Sequence, residues 1–168
     1  MSEKVVPVSQ DQCPAHLRTN RSALTRWFGR TFYRAIGWEL EGKIAGAERV
    51  MVVAAPHTSN WDFVFGILVI LGINARVRWL GKHTIFKFGV TWFFRWLGGI
   101  PVNREQPDEV MGYVDAAVEK DNGLILVMAP EGTRKKVTKW KTGFLRIAKK
   151  NKCVIQLGAL DFANRRIV

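Results

Sequence analysis

Arg49-Val50-Met51-Val52-Val53-Ala54-Ala55-Pro56-His57-Thr58-Ser59-Asn60-Trp61-Asp62 is the stretch on which the fold turns. Residues 50–55 are apolar and valine-rich, which suits a short strand buried on both faces, and Pro56 ends it by withholding a ladder donor. Residues 63–72 are apolar, carry no charge or proline, and read as a buried helix that stops at Gly72. His57 therefore sits in a strand-to-helix turn. In open α/β sheets ligands bind at such turns, beside the carboxyl ends of the strands.

The spacing His57-x-x-x-x-Asp62 has two readings. With Asp62 in the first helical turn, its carboxylate folds back to accept the Nδ1 proton of His57 and leaves Nε2 free to take a proton from a substrate hydroxyl. That is a base and its orienter with no protein nucleophile between them. Ser59-x-x-Asp62 equally fits a capping box, in which Ser59 caps the helix and Asp62 reaches back to the Ser59 amide.

Outward from that turn, 168 residues at 48% hydrophobic make one globular domain with material for a real core. The 26 Lys and Arg against 14 Asp and Glu give a formal charge of +12, which implies a polyanionic partner. Seven Trp and ten Phe fit an anionic membrane surface better than nucleic acid. No helix-turn-helix spacing, zinc pattern or RNA-binding signature supports nucleic acid. Cys13 and Cys153 are too few for a disulfide framework, and Cys13-x-x-His16 lacks a second ligand pair, so a reducing compartment and no metal are expected. No apolar leader is seen, and the longest charge-free apolar run after the motif, residues 63–75, is short of the roughly 18 a spanning helix needs.

Taken in order, residues 1–22 read as a loose N-terminal arm. Residues 23–37 read as a basic amphipathic helix capped near Ser22 and stopped at Gly37, with Leu24, Phe28, Phe32, Ala35 and Ile36 on one face and Arg26, Arg30 and Arg34 on the other. That helix lies on an anionic membrane, or packs its apolar face on the core with its arginines solvated. Residues 38–168 read as the α/β domain. Within it, residues 75–80 alternate as a half-exposed strand, and 85–97 are unusually aromatic, part core and part available to lipid. Ile100-Pro101-Val102 is an edge-type strand, 107–120 a polar helix, 124–129 a second buried strand, 143–150 a helix and 154–160 a third apolar strand. Gly81-Lys82-His83-Thr84 imitates the end of a phosphate-binding loop, but Arg76 stands where that motif needs glycine. His83 reads as a surface residue. After the second buried strand, Gly132 in Pro130-Glu131-Gly132-Thr133-Arg134 permits a turn that presents backbone amides and an Arg fork to an anion; its plainer reading is a β-turn with a solvated Glu–Arg pair.

Three strand-end turns thus carry His57 and Asp62, then Gly99-Ile100-Pro101-Val102-Asn103-Arg104, then Glu131-Gly132-Thr133-Arg134. In order and spacing they resemble the H-x-x-x-x-D, G-I-x-x-x-R and E-G-T-R blocks of the glycerolipid acyltransferase family, which includes the 1-acylglycerol-3-phosphate acyltransferases. The resemblance covers residues 40–160. It implies a single domain with a mostly parallel mixed sheet flanked by helices, and an O-acyltransferase that moves a fatty acyl group from acyl-CoA or acyl carrier protein to a hydroxyl of a glycerol-phosphate or lysophospholipid acceptor.

By that likeness His57 is the general base and Asp62 orients it, while Arg104, Glu131, Gly132, Thr133 and Arg134 bind substrate. Lys141, in Trp140-Lys141-Thr142-Gly143-Phe144, is a lesser candidate of the same kind. The acyl donor is a co-substrate, and no cofactor is implied; the expected place is the cytoplasmic face of a membrane, peripherally bound. One departure stands out: the family's fourth block opens with a proline-containing strand, where this chain has Cys153-Val154-Ile155-Gln156-Leu157, so the resemblance assigns no acyl-side pocket. The alternative reading is a non-catalytic basic protein bound peripherally to membranes. A serine hydrolase is excluded by the want of a G-x-S-x-G elbow.

Overall fold

A computed structural model describes residues 7–87, 89–103, 107–121, 123–133 and 137–168. Its strands are β1 (Glu39–Leu40), β2 (Arg49–Ala55), β3 (Val77–Lys82), β4 (Gly99–Val102), β5 (Leu124–Met128), β6 (Val154–Asp161) and β7 (Arg166–Ile167). The helices are α1 (Ala23–Ala35), α2 (Trp61–Gly72), α3 (Thr91–Trp96), α4 (Pro107–Lys120) and α5 (Gly143–Lys150). The strands form one seven-stranded sheet in the order β1-β7-β6-β2-β5-β3-β4. Every pair is parallel except β6 with β7, where the chain doubles back at Asp161 to Arg166. The expected α/β domain with a mostly parallel sheet is therefore present, and the proline-bearing strand β4 stands at its edge, where the missing donor of Pro101 costs no inner ladder bond.

Alternation along β2 divides the core into two layers. Val50 packs with Leu68, Val69, Val77, Ile125 and Tyr33 on the α2 side. Met51 and Val53 pack with Leu124, Leu126, Val114, Val118 and Ile147 on the side of α4 and α5. Both layers meet at the strand that leads into His57, which fixes the turn between two rigid slabs.

Two expectations at the N-terminus are corrected. Residues 7–22 are not a loose arm: Gln12, Cys13 and Leu17 are buried, Gln12 donates to the carbonyls of Leu40 and Gly42, and the Arg76 amide donates to Leu17. Burial pushes the Cys13 thiol up to about 11. The segment lacks periodicity because it is held by single side chains and backbone bonds rather than by a repeating face. Residues 1–6 lie outside the described residues.

Helix α1 starts at Ser22, whose hydroxyl accepts the Thr25 amide, and ends before Gly37, as its sequence signals. Its apolar face is not packed on the core, as one of the two readings had it. Gly29 and Tyr33 face inward, and Arg30 lies along α2 with its Nε donating to the Gly72 carbonyl at 2.8 Å. Leu24, Trp27, Phe28, Phe32 and Ile36 point out, Leu24 being 71% exposed. The cause is close approach: a Cβ at Gly29 would stand 2.7 Å from the Gly72 amide and 2.8 Å from the Leu68 carbonyl. Only the glycine stripe lets the two backbones cross so tightly, and the arginine stem on that stripe fills the remaining space.

The aromatic segment splits as expected. Phe86 and Phe94 stack around Trp79 with Phe63 of α2, at centroid distances of 4.8–6.0 Å. Trp92 and Trp96 on α3 remain 70% and 47% exposed. The Arg21 guanidinium sits 5.5 Å over the Trp96 ring, joining the start of α1 to α3. Among the described residues no helix is long and apolar enough to cross a membrane.

Candidate active site

The turn after β2 is tied almost wholly by one carboxylate. Asp62, in the first turn of α2, accepts the amides of Thr58 at 2.7 Å and Ser59 at 2.8 Å on Oδ2, and the same oxygen lies 3.1 Å from His57 Nδ1. Its other oxygen accepts the Ser59 hydroxyl at 3.3 Å. The two sequence readings are thus one structure: the carboxylate that returns to the Ser59 amide is also the partner of the imidazole. The capping half differs in detail, because the residue before the helix is Asn60 and the Ser59 hydroxyl accepts from Trp61 rather than from Asp62.

Burial separates the pair. The Asp62 side chain is 5% exposed and that of His57 28%, so the carboxylate is sealed while the imidazole reaches solvent from the wall of a cavity. This cavity, about 1280 Å³, is lined by Val52, Ala54, Phe63, Ile67 and Val127 among others, and by Gly132, Thr133 and Lys141. Its apolar walls come from the strands and α2; its polar rim comes from the turn after β5.

That second turn is bound to the first. Glu131 Oε2 accepts the backbone amide of His57 at 3.0 Å, across 74 residues of sequence. Gly132 adopts φ +64°, and Lys141 lies across the turn, its amide donating to the Pro130 carbonyl at 2.9 Å. A Cβ at Gly132 would come within 3.2–3.3 Å of the Lys141 side chain, so glycine answers both the backbone and the lysine. His57, Asp62, Glu131, Gly132, Thr133 and Lys141 are therefore brought together. Arg104 and Arg134 lie outside the described residues; Asn103 follows β4 at the carboxyl-end edge of the sheet.

His83 is exposed in a single helical turn after β3, and His16 Nε2 stands 3.0 Å from the Ala47 carbonyl, so neither histidine joins the site. Sequence reasoning gave no hint that Glu131 would bind the histidine's own backbone. A tie between one residue's side chain and another's amide at that separation leaves no periodic trace.

The Acyltransferase family model matches residues 23–156, most of the chain, and the protein belongs to that family. Among solved structures the chain is similar to the 1-acyl-sn-glycerophosphate (LPA) acyltransferase PlsC from Thermotoga maritima, at 27% identity and a TM-score of 0.54. The match covers 79% of this chain and 54% of that one, so the chain spans about half the length of that relative. No curated protein matches it.

Proposed function

We propose that the protein is an O-acyltransferase that moves a fatty acyl group from a thioester, acyl-CoA or acyl carrier protein, to a hydroxyl of a glycerol-phosphate or lysophospholipid acceptor. The observation that carries this reading is the His57–Asp62 pair on the wall of a large apolar cavity. Asp62 accepts a hydrogen bond from Nδ1–H, which keeps that proton in place and leaves the Nε2 lone pair to accept the acceptor's hydroxyl proton. The alcohol oxygen then attacks the thioester carbonyl, a C–O bond forms and the C–S bond breaks. The proton on Nε2 passes to the departing thiolate. No protein nucleophile or cofactor enters, and the acyl chain occupies the apolar cavity.

Glu131 serves this chemistry by holding the His57 backbone, and the Gly132-Thr133 turn, Lys141 and the arginines of the two motifs, Arg104 and Arg134, meet the acceptor's phosphate. The outward apolar face of α1, with Trp92, Phe93 and Trp96 of α3, enters one leaflet of an anionic membrane on its cytoplasmic side. Buried apolar area, rather than an arginine stripe, then supplies most of the binding.

Incubating the protein with palmitoyl-CoA and lysophosphatidate, glycerol 3-phosphate or other lyso-lipids tests the reaction. Thiol release that depends on one acceptor supports it, and release without acceptor identifies a hydrolase instead. Absence of release, together with vesicle binding, identifies the non-catalytic membrane protein.

A further inference from the structure

Strand β4 is the outer edge of the sheet, and α4 runs back beside it toward the sheet's amino end. Between the two lies a second groove of about 420 Å³, at the lower end of the range for small-molecule sites, which shares no lining residue with the cavity that His57 lines. Gly99 and Ile100 form its strand side. Tyr113, Ala116, Ala117 and Lys120, spaced as one helical face, form the other, and the two alanines keep it open. Arg78 from β3 and Arg95 from α3 complete the lining. Arg78 and Gly99 stand at the starts of their strands and Lys120 at the end of α4, so the groove opens at the end of the sheet opposite to His57. One carboxylate serves the cations there: Asp121 accepts from Arg78 Nε at 3.0 Å and Nη2 at 2.6 Å. Among the described residues Arg95 and Lys120 have no acidic partner, and Glu119 does not line the groove. Arg21 adds to the excess of charge. Burial and the neighbouring charge of Arg78 hold its guanidinium below the usual range, and it is spent on the Ala75 carbonyl at 2.8 Å and the face of Trp96.

We propose that this groove binds the phosphate diester of an anionic phospholipid headgroup, with Arg95 and Lys120 meeting the phosphate. The inference rests on the membrane-bound part of the proposed function and gives that surface a defined lipid site away from the chemistry. A concave wall that carries two unpaired cations concentrates anions. A phosphate presents several acceptor oxygens, and so meets an arginine fork and an ammonium at once. The lipid source follows from the neighbourhood. Arg95 lies on α3 between Trp92 and Trp96, which are both exposed, and the exposed Tyr113 stands on the facing helix. Exposed Trp and Tyr side chains settle at the level of lipid headgroups, which brings the groove to the depth where the phosphates lie.

The test titrates the full chain with dihexanoyl phosphatidylglycerol below its micelle concentration. Backbone amide NMR shifts of Gly99, Ile100 and Ala117 read the groove, and that of Gly132 reads the active-site cavity. Wild type should saturate at the first three with one lipid per chain. Arg95→Ala combined with Lys120→Ala removes two exposed, unpaired side chains and should weaken that binding at least tenfold. Lys139→Ala combined with Lys149→Ala, which removes as much exposed charge from the far side of the sheet, should change it less than twofold. An equal loss in both double variants overturns the proposal, because attraction would then be diffuse. Shifts confined to Gly132 overturn it as well, and so does inorganic phosphate binding as tightly as the lipid, since the ligand would then be a free anion. Flotation of wild type with phosphatidylglycerol vesicles judges the membrane reading separately. A chain that floats without filling the groove defeats the groove alone; a chain that fills the groove without floating upholds the site and defeats the membrane reading.

Discussion

The turn that carries His57 and the helix α1 handle polarity in opposite ways. In the turn, a buried carboxylate gathers two backbone amides, a hydroxyl and an imidazole within six residues, and every bond is local except the one from Glu131. In α1, by contrast, an arginine is drawn inward to a carbonyl of α2 while a row of large apolar side chains is left outside. The turn shows that local hydrogen bonding can fix a geometry by itself. The helix shows that a close backbone crossing can override an amphipathic pattern, because the position of one glycine sets which stripe can approach.

The sharpest way to break this contrast is Asp62→Asn. If the turn is fixed locally for chemistry, the amide keeps its shape but cannot stabilise the imidazolium of His57, and turnover should drop by about 10²–10⁴-fold with the melting temperature little changed. Near-full turnover would sink the assignment of the pair. Ser59→Ala accompanies it: the hydroxyl touches only the outer oxygen of Asp62, so the rate should stay within about threefold of wild type and a small loss of stability, about 1 kcal/mol, should appear in denaturant melts.

Gly29→Ala tests the helix. The added methyl meets backbone atoms of α2 that cannot rotate away, so overpacking should cost about 1–3 kcal/mol or more in urea unfolding. Were the variant as stable as wild type, the close crossing would not be what turns α1. Trp27→Ser with Phe28→Ser sharpens the same point from the other side. Those side chains are exposed, so stability should move by only about 0.5 kcal/mol while flotation with anionic vesicles falls severalfold. Unchanged flotation removes α1 from the lipid.

The one long tie in the turn is tested through the rate. Glu131→Ala frees the His57 amide, and kcat should fall about tenfold, or ~1.4 kcal/mol of barrier, with KM for the acceptor nearly constant. A rise in acceptor KM at constant kcat would place Glu131 on the substrate instead.

The sequence by itself determined the α/β class, the positions of β2, α2, α4, β5 and α5, and the His57–Asp62 pair, because each depends on period, breaker residues or bonds spanning fewer than six residues. The ordered motifs likewise announced the family. Only the tertiary structure decided that residues 7–22 belong to the core, that α1 turns Gly29 and Arg30 to α2, and that Glu131 holds the histidine's backbone. Those features depend on contacts between elements far apart in the chain, where a single glycine, glutamine or carboxylate is enough to set an arrangement and no repeating pattern is needed to encode it.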